Sequence, residues 1–298
     1  MVSGTRSSLS AYASHIASHT ASHIASHTVS RRGAACLLAL AALGSTAEAH
    51  ADNIFQSANT QLTASAGGQH TNYQESVQSR NLDSEKGFQG AYQGKVSVQR
   101  DMLGIKDVYL SASFGFAKGH TDYDGLLYNQ LGQTMPYQAG TQTDTTDITV
   151  KVGKAFPLTP QVQVIYYAFY GYHQWIRDST SIYGTDEHYR HHSLGVGMLG
   201  QYAITPQLVA SIEGSVGGTI GASMNAGNTA GTFKLGSNAT LMGALGLDYA
   251  VTQHVHINAA YQVTHFKYGQ SNLLASGYIE PESTTTNQTL QLGMGYAF

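Results

Sequence analysis

The chain has 298 residues, of which only 11% are charged, and it contains 33 glycines and 19 tyrosines but only five prolines. This charged fraction is well below the ~25% of ordinary soluble domains, while the mean hydropathy is only −0.19 and no apolar run outside the N-terminal region approaches the ~20 residues of a membrane helix. The net charge of −3 is too small to indicate an acidic or nucleic-acid partner, and no basic patch is present. We therefore expect neither an ordinary soluble domain, nor a helical membrane protein, nor a nucleic-acid-binding protein.

The chain begins with a low-complexity repeat in which Ser-His recurs every four residues, at His15, His19, His23 and His27. On a helix this spacing would stack the histidines on one face and could bind a metal ion. The segment is interpreted as a low-complexity run with no core, which is removed with the signal or, if translation starts at Val29, not translated at all. We assign the repeat no function.

A secretory signal peptide is predicted next. Arg31 and Arg32 precede a short apolar run at residues 34–43, and small residues then allow cleavage after Ala49 or Ala51. Residues 1–51 are thus predicted to be an N-terminal extension plus signal, and residues 52–298 to be the mature domain. The only cysteine lies inside the signal, so no disulfide is expected.

The mature region alternates apolar with polar or small residues, which is the period-two pattern of a β-strand with two different faces. Short connections are predicted at residues 100–106, 156–160, 204–206 and 251–254. Longer polar loops are predicted near residues 74–86, 121–144, 178–190, 222–237 and 269–286. The ten predicted strands are at residues 62–66, 88–99, 108–116, 147–152, 162–172, 193–202, 208–216, 240–249, 255–264 and 289–298.

The last strand reads TLQLGMGYAF, and its apolar face consists of Leu290, Leu292, Met294, Tyr296 and Phe298. This ending resembles the C-terminal signal of Gram-negative outer-membrane β-barrel proteins, in which the terminal phenylalanine is read by the barrel-assembly machinery. The resemblance implies an all-β fold, a transmembrane antiparallel up-and-down barrel of about ten strands. It also implies a location in the bacterial outer membrane, among outer-membrane lipid and lipopolysaccharide.

The strand count and the membrane location each have an alternative. Eight or twelve strands remain possible, because the first strand is poorly patterned and residues 121–144 could hide an extra hairpin. A soluble β-sandwich also alternates, but its strands are shorter and its outer faces carry many charges. The polar face here is mostly Gln, Ser, Thr, Gly and Asn, which favours the membrane barrel.

The inward face predicts the character of the lumen. A barrel of this size is nearly filled by its own side chains, and near-balanced buried charges would pair with one another. The sequence therefore predicts a salt-bridged lumen or a small gated conduit rather than a wide porin. The candidate lumen-lining residues are Lys95, Asp147, Lys151, Arg177, Glu213 and Asp248.

Short segments resemble parts of the active sites of two enzyme families with barrel folds. The pair Asp122 and Asp124 resembles one half of the omptin protease site, but the loop after the seventh strand, NAGNTAGTFKLGSN, contains neither Asp nor His for the other half. His191-His192-Ser193 resembles the His-x-Ser of outer-membrane lipid hydrolases. However, the strand alternation predicts that His191 and Ser193 face the lumen, whereas those enzymes present the pair towards lipid, and no residue is placed to orient the histidine. We predict no catalytic residues.

The function predicted from sequence is a small porin-like channel or a structural surface barrel, without cofactor or metal and acting as a monomer. The rim histidines are interpreted as ordinary polar residues; they are His70, His120, His188, His191, His192 and His265. The open alternative is an adhesin that binds through residues 122–142, which include Leu126, Leu127, Tyr128, Met135 and Tyr137.

Overall fold

The computed structural model describes residues 54–77, 80–128, 134–181, 184–227, 231–274 and 277–298, so the predicted repeat and signal peptide lie outside the described residues. Helix α1 (Ile54–Asn59) precedes the strands, and no helix in the described ranges is long and apolar enough to cross a membrane. The strands are β1 (Gln61–Val77), β2 (Arg80–Met102), β3 (Ile105–Tyr128), β4 (Thr134–Thr159), β5 (Val162–Ser179), β6 (Glu187–Thr205), β7 (Leu208–Asn225), β8 (Thr232–Lys234), β9 (Ala239–Ala250), β10 (Val255–Tyr268) and β11 (Glu282–Ala297).

Ten strands form a closed antiparallel ring. Each long strand pairs with its neighbours along the chain, β1 pairs with β11, and β6 pairs with β7. The three-residue β8 pairs only with the far end of β7. The predicted up-and-down barrel of about ten strands is therefore confirmed.

The ring is staggered. The stagger is found by starting at His173 on β5 and moving from each residue to its paired partner on the next strand, through β4 and β3 and on around the barrel to Ala203 on β6. The partner of Ala203 on β5 is Gln161, so one circuit ends 12 residues from where it began (173 to 161). A stagger of this size over ten strands corresponds to strands tilted by roughly 40° from the barrel axis. The short turns and Phe298 lie at one end, called the inner end here, and the long connections lie at the outer end.

The strands are longer than the sequence indicated, and two of the predicted long loops, at residues 74–86 and 121–144, were wrong; the loops near residues 178–190, 222–237 and 269–286 are present but shorter than predicted. Residues 121–144 are largely strand, because β3 continues to Tyr128 and β4 begins at Thr134. This region extends one hairpin rather than adding another. Its threonines and tyrosines are polar but favour extended backbone, so polarity alone was a poor guide to where the strands end.

A belt of apolar side chains surrounds the outside of the barrel. Large outward residues such as Leu245, Ile212 and Leu292 are half or more exposed, which is the pattern of a surface that faces lipid rather than water. Tyr202, Tyr249 and Tyr296 lie near the inner edge of this belt, where the amphipathic ring is stable at a membrane interface.

We expect Leu245→Arg to destabilise the barrel in bilayers by about 2–4 kcal/mol, because it places a charge near the middle of the lipid-facing belt. The measurement is the free energy of unfolding in urea in lipid vesicles. The matched control is Gln74→Arg, an exposed position on β1 above the belt, which should change stability by less than about 0.5 kcal/mol. Equal effects of the two substitutions would contradict the assignment of the belt.

Candidate functional site

The inner end of the lumen is closed by a plug built on α1. Phe55 is fully buried and packs with Ala203 and Val209 on the barrel wall. Asn59, at the end of the helix, donates to Gln99 at 2.8 Å and to Gln201 at 2.7 Å. These contacts fix the helix inside the barrel, and we call this region the inner plug.

The plug is held by neutral amides from several strands. Gln163 on β5 donates to Gln99 and to Gln201, both at 2.9 Å, while Gln201 donates back to Asn59 at 3.0 Å. An interlocked amide network satisfies buried polar groups without burying charge. These three glutamines and Asn59 therefore close the inner end through neutral hydrogen bonds.

Asp248 belongs to the same region. Its carboxylate accepts a hydrogen bond from Gln61 at 2.9 Å and lies 2.6 Å from Nδ1 of His256. Asn258 also donates to it. This predicted lumen residue is therefore tied into the plug and forms no ion pair with Lys95 or Lys151.

A polar cavity of about 330 Å³ lies between this plug and the outer end of the barrel. Its wall includes Lys95, Lys151 and Glu213. Lys151 and Glu213 form an ion pair across the lumen, and the Tyr167 hydroxyl also donates to Glu213. The Lys95 ammonium has no ion-pair partner within the described part of the chain, so the cavity wall carries one cation whose charge is not directly paired.

Two glycines shape this wall. A Cβ at Gly197 would collide with the ring of Tyr167, and a Cβ at Gly195 would collide with the ring of Phe169. The missing side chains allow both rings to lie against the wall, which directs the Tyr167 hydroxyl towards Glu213.

Above the ion pair, two buried histidines lie side by side. His173 Nδ1 is 2.7 Å from Asp147, and His191 Nδ1 is 2.7 Å from the hydroxyl of Tyr268. Phe266 packs against both imidazoles, with ring centroids 4.9 and 5.1 Å away. The predicted lumen residue Asp147 thus orients a histidine instead of pairing with a lysine.

The outer end of the lumen contains the last of the predicted residues, Arg177. Its guanidinium donates to Glu85 and to Glu187, at 2.8 and 2.6 Å, and lies over the rings of Tyr73 and Trp175 at 4.8 and 5.0 Å. Glu75 lies 3.9 Å from the same guanidinium, so one arginine serves as counter-ion for three carboxylates and makes cation–π contacts at the same time. We call the group formed by Arg177, its acidic partners and these rings the outer cluster.

The outer cluster is covered by described residues 271–274 and 277–280, which we call the roof loop. Glu280 accepts a hydrogen bond from the Tyr189 hydroxyl at 2.6 Å, and Ser271 and Glu280 are joined by hydrogen bonds at 2.9 and 3.0 Å. Leu274 and Tyr278 pack on the aromatic residues below. The loop therefore closes the outer end through one carboxylate and two apolar side chains.

The outer cluster has more acids than bases, and this shifts its protonation. Burial raises the pKa of Glu280 to about 8, and the nearby Glu187 carboxylate adds to the rise. Burial also raises the pKa of Glu75 well above its usual range, with Asp83 and Glu280 adding to it, and raises that of Glu187 against the opposing effect of Arg177. Near neutral pH the Glu280 carboxyl is therefore largely protonated in the closed arrangement.

The residues that resemble enzyme sites are not assembled into one. Asp122 and Asp124 are exposed on the outside of the barrel, whereas the intervening Tyr123 points inward and donates to Asp83 at 2.9 Å. His191 and Ser193 are buried on the lumen face, but the partner of His191 is the hydroxyl of Tyr268 rather than a carboxylate or amide. Within the described ranges, no three His, Cys, Asp or Glu side chains are grouped to hold a metal ion.

Several lumen residues were missed by sequence reasoning. His173 lies on β5, whose two faces are both apolar in sequence, so its inward position gave no contrast with its neighbours. Glu85, Glu187 and Glu280 fall in segments predicted to be loops. Strand parity would have placed Glu85 and Glu187 inside if the strand ends had been known.

No family model matches the chain, and no curated protein matches it. Among solved structures it is similar to OmpT, the outer membrane protease of Escherichia coli, with a TM-score of 0.54 and 11% identity over 80% of this chain and 97% of that one. The chain has the fold of a Gram-negative outer-membrane β-barrel protein. At this identity the likeness concerns the fold alone and does not transfer an activity.

Other solved barrels match less well by TM-score. The translocator domain of the autotransporter NalP from Neisseria meningitidis has a TM-score of 0.39 at 10% identity, with 90% of this chain and 95% of that chain covered. OprG from Pseudomonas aeruginosa has a TM-score of 0.34 at 13% identity, with 80% and 97% covered. The fold shared with OmpT is that of an outer-membrane protein, in agreement with the predicted location.

The roof loop should loosen as pH rises. An opened Glu280 in water would return to its usual pKa of 4.5, whereas the closed form holds its proton up to about pH 8. The closed form therefore binds more protons between these values, so its stability falls as pH rises from about 4.5 to about 8 and then levels off. Glu280→Gln should remove this dependence because the amide stays neutral.

The measurement is amide hydrogen exchange over residues 271–280, with variants compared at the same pH. We expect similar protection of wild type and Glu280→Gln at pH 5, and weaker protection of wild type at pH 9. Glu282→Gln, an exposed carboxylate on β11, is the control and should behave as wild type. Equal protection of all three proteins at pH 9 would show that Glu280 does not govern the roof.

Proposed function

We propose that the chain is a non-enzymatic outer-membrane conduit for small polar solutes, seen here in a closed state. The observation that carries the proposal is the polar cavity of about 330 Å³ at the level of the membrane belt, with a separable closing element at each end. A purely structural barrel would be expected to fill this space with side chains.

The lining of the cavity supports a polar solute. Many of its side chains carry hydroxyl or amide groups, which can exchange hydrogen bonds with a passing molecule as well as with water. The volume is of the size that binds a small metabolite. The hydroxyl and amide residues on the wall include Thr63, Ser65, Gln69, Gln93, Ser111, Ser113, Thr149, Ser211, Ser215, Gln262, Thr289 and Gln291.

The charges in the cavity support a solute without a large net charge. The Lys151–Glu213 ion pair cancels, and the positive charge of Lys95 is offset by the carboxylates of Asp147 and Asp248, which line the same cavity. A lumen that selected strongly for anions or cations would carry a row of like charges. The wall of this cavity carries charges of both signs instead, with Lys95 as the cation that has no direct ion-pair partner among the described residues.

The two closing elements differ in strength, which supports a gate at the outer end. The inner plug rests on several neutral hydrogen bonds among Asn59, Gln99 and Gln201. The roof loop depends on Glu280, whose ionisation would place another negative charge beside Glu187. Loops with few anchoring contacts are the elements that open first.

A second candidate function rests on the β3–β4 hairpin. It is the longest in the barrel, and Leu126 and Met135 near its tip are 38% and 55% exposed. Exposed apolar side chains on a projecting hairpin would suit adhesin-like contact with another surface. Removing residues 125–137 should abolish such contact and leave conduction unchanged.

We also propose how the chain is exported, where it resides and how its barrel is assembled. Residues 1–51 would be removed on export, and the monomer would sit among outer-membrane lipid and lipopolysaccharide. The last strand presents Leu292, Met294 and Tyr296 outward, each more than half exposed, and is followed by Phe298. That arrangement supports recognition of this strand by the barrel-assembly machinery.

Solute entry into liposomes tests the conduit. Asn59→Ala removes the hydrogen bonds that join α1 to Gln99 and Gln201, so we expect faster swelling of proteoliposomes in a pentose than with wild type. Lys95→Gln should shift the reversal potential in a salt gradient towards cations, because it removes the unpaired positive charge. Gln74→Ala, outside the lumen, is the control for both.

Folding is checked in every sample by heat-modifiable gel mobility. If neither wild type nor Asn59→Ala admits the sugar although both are folded, the lumen is permanently closed and the barrel is structural. If swelling occurs but the reversal potential is unchanged by Lys95→Gln, solute does not pass along this wall.

A further inference from the structure

We propose that His173 and His191 form a two-histidine binding site for a divalent transition-metal ion, such as Zn²⁺, in the outer half of the lumen. The inference is independent of whether the barrel conducts. It rests on the placement, orientation and partners of the two imidazoles.

The two histidines face each other on neighbouring strands. His173 on β5 is directly paired with His191 on β6, both point into the barrel, and only 6% and 4% of their surfaces are exposed. Their ring centroids are 5.0 Å apart with an interplanar angle of 32°. A cross-strand pair at this separation brings two imidazoles within reach of one ion after small side-chain rotations.

Each imidazole is oriented by a partner on the same nitrogen. Nδ1 of His173 lies 2.7 Å from Asp147, and Nδ1 of His191 lies 2.7 Å from the Tyr268 hydroxyl. In metal sites the non-ligating nitrogen of a histidine is usually hydrogen-bonded to such an oxygen, which fixes the tautomer and directs the other nitrogen to the metal. Both Nε2 atoms are thus left available for a ligand.

The Nε2 atom of His173 is buried and has no hydrogen-bond partner among the described residues. Leaving a buried polar nitrogen unpaired costs about 1–3 kcal/mol, so buried nitrogens in folded proteins nearly always pair with a protein group, a water molecule or an ion. The pair is flanked by Phe266, whose ring contacts both imidazoles and supplies no polar atom. A bound metal ion would satisfy the nitrogen that the protein leaves unpaired.

Only two protein ligands are provided, since no third His, Cys, Asp or Glu joins them in the described structure. Imidazole nitrogen suits Zn²⁺, Cu²⁺ and Ni²⁺, and a tetrahedral Zn²⁺ would complete its shell with water from the cavity. The Asp147 carboxylate adds a nearby negative charge. We therefore expect a weaker site than a closed structural zinc site, with coordination positions open to the lumen.

The test is a Zn²⁺ titration of the refolded full chain in detergent micelles. The histidines of the N-terminal repeat can also bind Zn²⁺, so the readout is the difference in stoichiometry between variants of the same chain. We expect His173→Gln/His191→Gln to bind one Zn²⁺ fewer than wild type. Asp147→Asn should retain the site with roughly 10- to 100-fold weaker affinity, because it perturbs orientation rather than ligation.

His120→Gln, an exposed histidine on β3, is the matched control and should keep the wild-type stoichiometry. The single variants His173→Gln and His191→Gln cover the case in which the double variant fails to fold, and each should lose the same equivalent. Heat-modifiable mobility confirms folding. Unchanged stoichiometry and affinity in folded His173→Gln and His191→Gln would overturn the proposal.

Discussion

The structure depends on one constraint, the need to satisfy every backbone hydrogen bond of a chain that crosses lipid. No water is available there to pair with a free sheet edge, so the sheet must close on itself. Closure is achieved by the long ladder between β1 and β11, which runs from Gln61–Ala297 to Ser76–Glu282, and by the ladder between β6 and β7. Because apolar and polar side chains alternate along each strand, a closed barrel with its apolar face towards lipid must have its polar face inward.

The polar lumen follows from this constraint and is stabilised in three different ways. The inner end uses neutral amides, the middle uses the Lys151–Glu213 ion pair, and the outer end places Arg177 among more acids than it can neutralise. Buried charges are stable only when they are well paired. The charges at the outer end are accordingly the least well neutralised of the three regions, and the roof loop lies directly on them.

The sequence allowed the ring to be predicted because period-two alternation is a local property of each strand. Ten segments were located, and Lys95, Lys151 and Glu213 were predicted to face inward from parity alone. The strand ends were missed because paired backbone continues above the membrane belt, where residues such as Thr141 and Glu85 no longer alternate in polarity. The plug was missed because α1 is only six residues long, and its role depends on contacts with distant strands.

The partners of the charged residues could not be predicted in the same way. Asp147 contacts His173 and Arg177 contacts Glu85 and Glu187, because the stagger of the ring and the side-chain rotamers decide which inward residues meet. The odd or even position of a residue along its strand shows whether its side chain points into the lumen, but it does not give the height of that side chain along the barrel axis, called its level here. The cavity, the histidine pair and the outer cluster all depend on that level.

Single-channel conductance of the refolded protein in a planar bilayer, recorded at pH 6 and at pH 9, tests the central claim most directly. A closed conduit with an ionisable outer gate predicts rare discrete openings at pH 6 and more frequent openings of the same size at pH 9. Silence at both pH values from a protein shown to be folded would contradict the account. A steadily open pore without pH dependence would contradict it as well.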